Sequence, residues 1–208
     1  MRRILFGLVI LLLLGAGLAL RPGALSIRAT PPAYAMLRDE ARSSEDEGAV
    51  IFAYGDWGAL SSDTLRTSAA PWKLVNAAMA LDAAGGDAEA AKATDIAALY
   101  RRFGFHSPET FENWPAGLPS PPLDMPVGQN VGTASGTWPP IEVTISNIGC
   151  AACHSSVMYD ETGAPDTTRV WLGAANGSIN LEAWTGALYA ALRDRTGDAG
   201  LLMEVVGG

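Results

Sequence analysis

The stretch Ile141–His154, IEVTISNIGCAACH, decides how the rest of this 208-residue chain is interpreted. Its first half alternates apolar and polar residues, which predicts a strand. Its second half contains Cys150, Cys153 and His154 in the order C-x-x-C-H. The chain has two cysteines and two histidines in all, so three of these four residues fall within five consecutive positions. We therefore expect the chemistry of the protein to centre on this motif.

C-x-x-C-H is the attachment motif of c-type haem. Two thiols three positions apart on a helical turn can each add to one vinyl group of the same porphyrin, and the neighbouring imidazole can then bind the iron. We therefore predict one covalently bound haem c. Cys150 and Cys153 would hold it, and His154 would be the proximal ligand of the iron.

Three other chemistries fit the motif less well. A thioredoxin-like C-x-x-C pair is expected within a βαβ pattern, which the preceding sequence lacks. Zinc needs four ligands, and the adjacent residues Cys153 and His154 are awkward to place in one tetrahedral site with Cys150. A disulfide between Cys150 and Cys153 would be strained.

The sixth ligand of the iron decides between two kinds of function. A Met or His in that position makes an electron carrier, whereas an open position allows oxygen or peroxide chemistry. His106 is the other histidine and a candidate, although it could equally be an ordinary residue at a helix end. Met203 and Met125 are further candidates. Met158 follows His154 by one helical turn and would lie on the same side of the porphyrin, which excludes it.

The N-terminal segment predicts export. Met1–Leu20 contains Arg2 and Arg3 followed by 17 residues without a charge. Such a segment is either an uncleaved membrane anchor or a signal peptide, which would be removed after Ala33-Tyr34-Ala35. The arginine pair predicts a cytoplasmic N-terminus. We therefore expect the rest of the chain on the periplasmic side of a bacterial inner membrane, or free in the periplasm.

Charge limits the classes of partner. The chain has 14 Lys and Arg against 22 Asp and Glu, a net charge of −8. Four of the arginines precede Met36, where no acid occurs, so the remainder carries 10 − 22 = −12. Nucleic-acid binding requires clustered basic residues and is excluded as a main function. An acidic body instead favours a redox partner protein that is basic at its docking face.

The segments outside the motif predict a mainly α fold. We expect a flexible stalk over residues 21–48, because of Pro31-Pro32 and a charge-rich run, and a haem domain over residues 49–208. An extended segment is predicted over 50–58, and an irregular loop with seven prolines over 115–140. The remaining predictions are helices over 71–84, 87–102, 107–114 and 180–194, and a second strand over 168–173. The predicted class is a cytochrome c-like haem domain with long irregular loops and a short β-hairpin, preceded by an N-terminal membrane helix.

Four stretches carry a resemblance to a known family. They are Phe52–Gly58 (FAYGDWG), Tyr100–Phe105 (YRRFGF), Asn113–Pro119 (NWPAGLP) and Asn147–His154 (NIGCAACH). Together they resemble di-haem cytochromes related to rubber oxygenase and, more distantly, bacterial cytochrome c peroxidase. The resemblance implies a mostly helical protein with two covalent haems, the first reactive and the second an electron store. This sequence has no second C-x-x-C-H, so the resemblance implies either a monohaem derivative or an N-terminal fragment.

Two functional hypotheses follow. The first is a periplasm-facing monohaem c-type cytochrome that transfers single electrons through the haem held by Cys150 and Cys153. The second is an oxygenase- or peroxidase-like redox enzyme, or a fragment of one, with an open distal haem face. A haem-containing sensor or assembly module is a third class that no feature of the sequence favours.

Overall fold

The computed structural model describes residues 25–28, 32–55, 69–137, 140–195 and 197–207. The predicted membrane segment Met1–Leu20 lies outside these residues. Among the helices that are described, none is long and apolar enough to span a membrane.

The described residues form eight helices and seven strands, numbered here in chain order. The helices are α1 (Pro32–Glu40), α2 (Ser44–Tyr54), α3 (Trp72–Ala83), α4 (Ala88–Lys92), α5 (Ile96–Arg101), α6 (Cys150–Cys153), α7 (Leu181–Arg195) and α8 (Ala199–Gly207). The strands are β1 (Leu25–Arg28), β2 (Ala70–Pro71), β3 (Thr110–Phe111), β4 (Gln129–Thr137), β5 (Pro140–Ile148), β6 (Ser155–Tyr159) and β7 (Pro165–Leu172).

The strands form two small sheets. The first has the order β1-β4-β5-β2 with antiparallel neighbours, and its centre is the β4–β5 hairpin, in which Gln129 lies opposite Ile148. The second has the order β3-β7-β6, with β3 parallel and β6 antiparallel to β7. In the second sheet Ser155 lies opposite Leu172.

Helix α3 is the centre of the larger helical core. Pro71 precedes it and Gly85, with φ +64°, follows its last turn, which is the usual arrangement of proline and glycine at helix ends. Its buried face includes Ala78 and Leu81, both 0% exposed. Apolar residues of α4, α7 and α8 pack against this face. A smaller core, described with the site below, lies between α2, α6 and the second sheet.

The N-terminal part of the described chain differs from the prediction. Residues 32–40 and 44–54 are helices, so the expectation that the stalk contains no regular helix is wrong over 32–40 and 44–48, and the extended segment is wrong over 50–54. Ser43 and Asp46 start α2 with a reciprocal capping box, because each side chain accepts a hydrogen bond from the backbone N–H of the other residue. The two helices bury Leu37 and Val50 completely, so this charged segment does contribute to a core.

The predicted mainly α, cytochrome c-like class is wrong, because two sheets surround the C-x-x-C-H motif. Residues 129–137, expected to be part of a proline-rich loop, form β4 and pair with β5. The predicted helix 87–102 is two short helices, and residues 107–114 contain β3 rather than a helix. The predicted helices 71–84 and 180–194 and the strands 141–146 and 168–173 are confirmed, with ends shifted by a few residues.

Candidate functional site

The C-x-x-C-H motif forms one helical turn between the two sheets. Strand β5 ends at Ile148, and Gly149 then precedes the turn in an extended conformation (φ −102°, ψ −176°). The N–H of His154 donates to the carbonyl oxygen of Cys150 at 3.0 Å, which closes the turn. Strand β6 begins at the next residue, Ser155. We call residues 149–154 the motif turn.

The motif turn has a buried side and an accessible side. The spacer residues Ala151 and Ala152 are 0% and 1% exposed, and they pack into the two cores that lie behind the turn. Cys150 and Cys153 are half-buried free thiols, and His154 is exposed. Burial raises the pKa of the Cys150 thiol. The three residues that carry chemistry thus remain accessible while the two spacers anchor the turn.

Asn176 holds the motif turn in place. Its Nδ2 donates to the carbonyl oxygens of Ala152 and Gly104, each at 3.0 Å. Its backbone N–H donates to the carbonyl oxygen of Cys153 at 2.8 Å, and its Oδ1 accepts from the backbone and hydroxyl groups of Ser178. Asn176 is 8% exposed, so a buried side chain joins three separate segments of the chain. This residue was not predicted from the sequence.

Two glycines allow the β4–β5 hairpin to approach the motif turn closely. Gly128 has φ +80°, and a Cβ at this position would overlap the backbone nitrogen of Ala152. A Cβ at Gly149 would overlap the Nδ2 of Asn130, which itself donates to the carbonyl oxygen of Gly55 at 3.0 Å. The sequence signals at these positions were the glycines themselves, since a glycine within a strand pattern often marks a close approach.

His106 lies beside the motif turn. The half-buried imidazole interacts with the side chain of Asn176 and the backbone of Ser155, and burial lowers the pKa of this histidine. The carbonyl oxygen of His106 also accepts from the N–H of Val127 at 2.8 Å. The structure therefore brings the two histidines of the chain into the same region. The role of His106 as a sixth ligand of iron stays a prediction.

The methionine candidates for a sixth ligand lie elsewhere. Met203 is 65% exposed on α8, a helix that packs against the α3 core rather than the core containing Ala151. Met125 lines a cavity together with Gly128, which contacts the motif turn from its buried side. Met158, which was not a candidate because a helical turn would place it on the side of His154, lies in strand β6 opposite Asp166, so the expected helical placement is wrong.

Aromatic residues lie in the core behind the motif turn and in the strand that pairs with β6. Trp171 is 46% exposed and lies opposite Ser156, two residues after His154. Tyr100 and Phe105, with ring centroids 5.2 Å apart, are buried in the same core as Ala152. The buried side of the turn therefore has a packed aromatic cluster, and an exposed indole lies in the second sheet opposite the second residue of β6.

The residues of the motif turn fit a covalent haem. The thiols of Cys150 and Cys153 are free, accessible and one helical turn apart, as two thioether bonds to one porphyrin require. Within the described residues, the His154 side chain has no hydrogen bond or ion pair, so its imidazole is available as a ligand. The same part of the chain contains no group of three or more His, Cys, Asp or Glu residues placed to hold a metal ion by themselves.

The described parts of the four stretches quoted above converge on the motif turn. Ala53 shares a core with Ala151, and Tyr100 and Phe105 share one with Ala152. Asn113 exchanges two hydrogen bonds of 2.9 Å with the backbone of Leu172, opposite Ser155.

Comparison with known proteins finds no matching family model, no similar curated protein and no similar solved structure.

Proposed function

We propose that this protein is a monohaem c-type cytochrome that transfers single electrons. The observation that carries the proposal is the accessible side of the motif turn, where two free thiols lie within five residues of an imidazole that has no hydrogen-bond partner in the part of the chain that the structure describes. The proposal requires the motif turn but not a cytochrome c fold, so it is compatible with the α+β structure described above.

The chain's residues have distinct roles in this proposal. Each thiol, of Cys150 and of Cys153, adds across one vinyl double bond; its sulfur forms the new C–S bond and its hydrogen forms the new C–H bond. The addition is redox-neutral, so it requires thiols rather than a disulfide. His154 contributes a nitrogen ligand, and Asn176 holds the backbone of the turn that presents all three side chains.

A bound haem c supplies reversible one-electron chemistry. The chain's other contribution is electrostatic, because the residues from Met36 onward carry a charge of −12. Such a surface favours a basic redox partner. The N-terminal segment Met1–Leu20 supports export to the periplasm, where bacterial haem attachment takes place.

Expression of the full chain in a periplasm together with the haem-attachment machinery tests the proposal. We expect a haem that survives denaturing electrophoresis and gives a c-type pyridine haemochrome spectrum. The double variant Cys150→Ser/Cys153→Ser should lose all covalent haem, and His154→Ala should retain thioether bonds with an altered iron spectrum. Ser156→Ala, a neighbouring change outside the motif, is the matched control and should load normally. Exported, folded chain without covalent haem would overturn the proposal.

A second candidate is an oxygenase- or peroxidase-like enzyme with an open distal face. Two observations favour it: Met203 belongs to a different core, and the imidazole of His106 already interacts with Asn176 and Ser155. The absorption spectrum of the reduced protein with and without carbon monoxide separates the two candidates. A spectrum that carbon monoxide does not change indicates a filled sixth position and an electron carrier. Ready binding of carbon monoxide indicates the enzymatic function.

A further inference from the structure

A cavity of about 650 Å³ lies on the buried side of the motif turn. Its volume is within the range of about 300–1,000 Å³ that is usual for small-molecule sites. None of Cys150, Cys153 and His154 is among its described lining residues, so it is separate from the attachment face. Met36 and Asp124 are the exposed members of the described lining and mark its mouth.

The cavity wall favours a flat, uncharged and largely apolar molecule. The rings of Tyr54, Trp72 and Phe111 form part of it, together with the side chain of Met125. Burial, with the charge of Asp124 as a smaller cause, raises the pKa of Tyr54, whose hydroxyl donates to the carbonyl oxygen of Pro122 at 2.6 Å. Tyr54 is therefore neutral, and the carboxylate at the mouth opposes the entry of anions.

Two buried amides in the lining have a polar atom without a partner. Gln129 is 7% and Asn130 2% exposed, and neither Gln129 Nε2 nor Asn130 Oδ1 has a hydrogen-bond partner among the described residues. Buried polar atoms are normally paired. Gln129 and Asn130 are neighbours in β4, so their side chains point to opposite faces of the sheet and only one of the two atoms can meet a given ligand. A hydroxyl group both donates and accepts, so a ligand that bears one can supply the missing partner of either atom.

The cavity is directly connected to the motif turn. Gly128 lines the cavity and contacts Ala152. A second connection consists of three aromatic rings. The ring centroid of Trp72, in the cavity wall, lies 5.7 Å from that of Tyr100, which lies 5.2 Å from that of Phe105. Tyr100 and Phe105 are both in the core that contains Ala152. A redox-active molecule in the cavity would thus be separated from the attachment site by contacting aromatic rings and one helical turn.

We propose that this cavity binds a quinol, a neutral ring with two hydroxyl groups, as the electron donor of the protein. The inference rests on the proposed function for its redox step, but the binding of the ring does not depend on it. Oxidation of one quinol to its quinone releases two electrons and two protons. Two ferric holoproteins accept one electron each, and the protons pass to water at the cavity mouth.

Tetramethyl-1,4-benzoquinone is a suitable probe, because its fully substituted ring cannot alkylate thiols. Equilibrium dialysis with the haem-loaded full chain should show saturable binding. Thr144→Trp introduces a large side chain at a partly buried position of the cavity lining and should weaken binding at least tenfold. Val143→Trp, at the neighbouring position of β5 but exposed and outside the described lining, is the matched control and should bind like the unchanged protein. Leu123→Trp provides a second obstruction in the lining in case Thr144→Trp does not fold.

Reduction kinetics test the redox step. The corresponding quinol should reduce the haem-loaded protein at a rate that saturates with quinol concentration, and Thr144→Trp should slow this reaction but leave reduction by dithionite unchanged. A loaded protein that binds no quinone, or equal binding by the two tryptophan variants, overturns the cavity inference while the proposed function stands. Absence of covalent haem with saturable binding to the full chain overturns the proposed function and leaves the binding site supported.

Discussion

Asn176 is the residue on which the geometry of the motif turn depends most. Replacing it with alanine removes the donor to the buried carbonyl oxygen of Ala152 and to the partly buried carbonyl oxygen of Gly104, which can still accept from the Ser178 hydroxyl. Because an unsatisfied buried polar group costs about 1–3 kcal/mol, we expect Asn176→Ala to lower the free energy of unfolding by about 1–3 kcal/mol. Urea denaturation measures this change.

Ser178→Ala is the control for that prediction. It removes the hydroxyl that donates to Asn176 and to the carbonyl oxygen of Gly104 but leaves the Asn176 amide in place. Its effect should stay below about 1 kcal/mol, since the Ser178 bonds are largely exposed. An equal decrease in the free energy of unfolding in the two variants would show that Asn176 does not stabilise the turn.

Single residues also show the limit of prediction from the sequence. Cys150, Cys153 and His154 could be identified because their spacing is a recognisable pattern. Asn176 could not, because it acts on Ala152 through a contact between residues 24 positions apart. Nothing in the local sequence indicates that two such segments meet, and the asparagine alone predicts only a turn.

At the scale of elements, the packing of the β4–β5 hairpin on α6 depends on Gly128. An alanine there would combine an unfavourable positive φ with an overlap against Ala152. We expect Gly128→Ala to destabilise the protein by about 2–5 kcal/mol. Gly173→Ala is the matched control, because Gly173 has φ +90° and a Cβ there would meet no described atom within 4 Å, and its cost should be about 1–2 kcal/mol. Similar midpoints of denaturation for the two variants would contradict the close packing.

The β6–β7 hairpin should respond to acid through Asp166. Hydrogen bonds from the Thr168 hydroxyl and from Arg169 lower the pKa of Asp166 from 3.8 to about 2. Because the folded pKa is the lower one, this stabilisation is complete above pH 3.8 and is lost as the pH falls through about 2. The stability difference between the unchanged protein and Asp166→Asn should therefore shrink over that interval, as urea melts at successive pH values would show. A difference that does not change with pH would contradict this role.

Prediction succeeded for elements whose boundaries are marked locally. Helix α3 has a proline before it and two glycines after it, and β5 has a regular alternation. It failed for α1 and α2, where a charge-rich composition obscured the capping box of Ser43 and Asp46. It also failed for β4, whose glycines indicated a loop. That strand is stabilised by pairing with β1 and β5, which the local sequence does not reveal.

At the scale of the whole molecule, the net charge predicts how the proposed electron transfer should respond to salt. The residues from Met36 onward carry a net charge of −12, so we expect low ionic strength to accelerate association with the proposed basic partner. We expect the stopped-flow rate with a basic cytochrome to fall by about tenfold or more between low and high salt. Ferricyanide, an anionic oxidant, is the control and should show the opposite trend. A salt-independent rate with the basic partner would mean that docking does not use this charge.

The position of the motif turn between the two sheets has a consequence for insertions and deletions. Strand side chains alternate between faces, and β6 begins directly after the turn with Ser155 buried and Ser156 partly exposed. One additional spacer residue would shift β6 by one position and exchange its inward and outward side chains. The length of the segment 149–154 therefore determines which side chains of β6 point inward and which point outward. Selection on the architecture alone would preserve the length of this turn, even in a descendant that had lost both thiols.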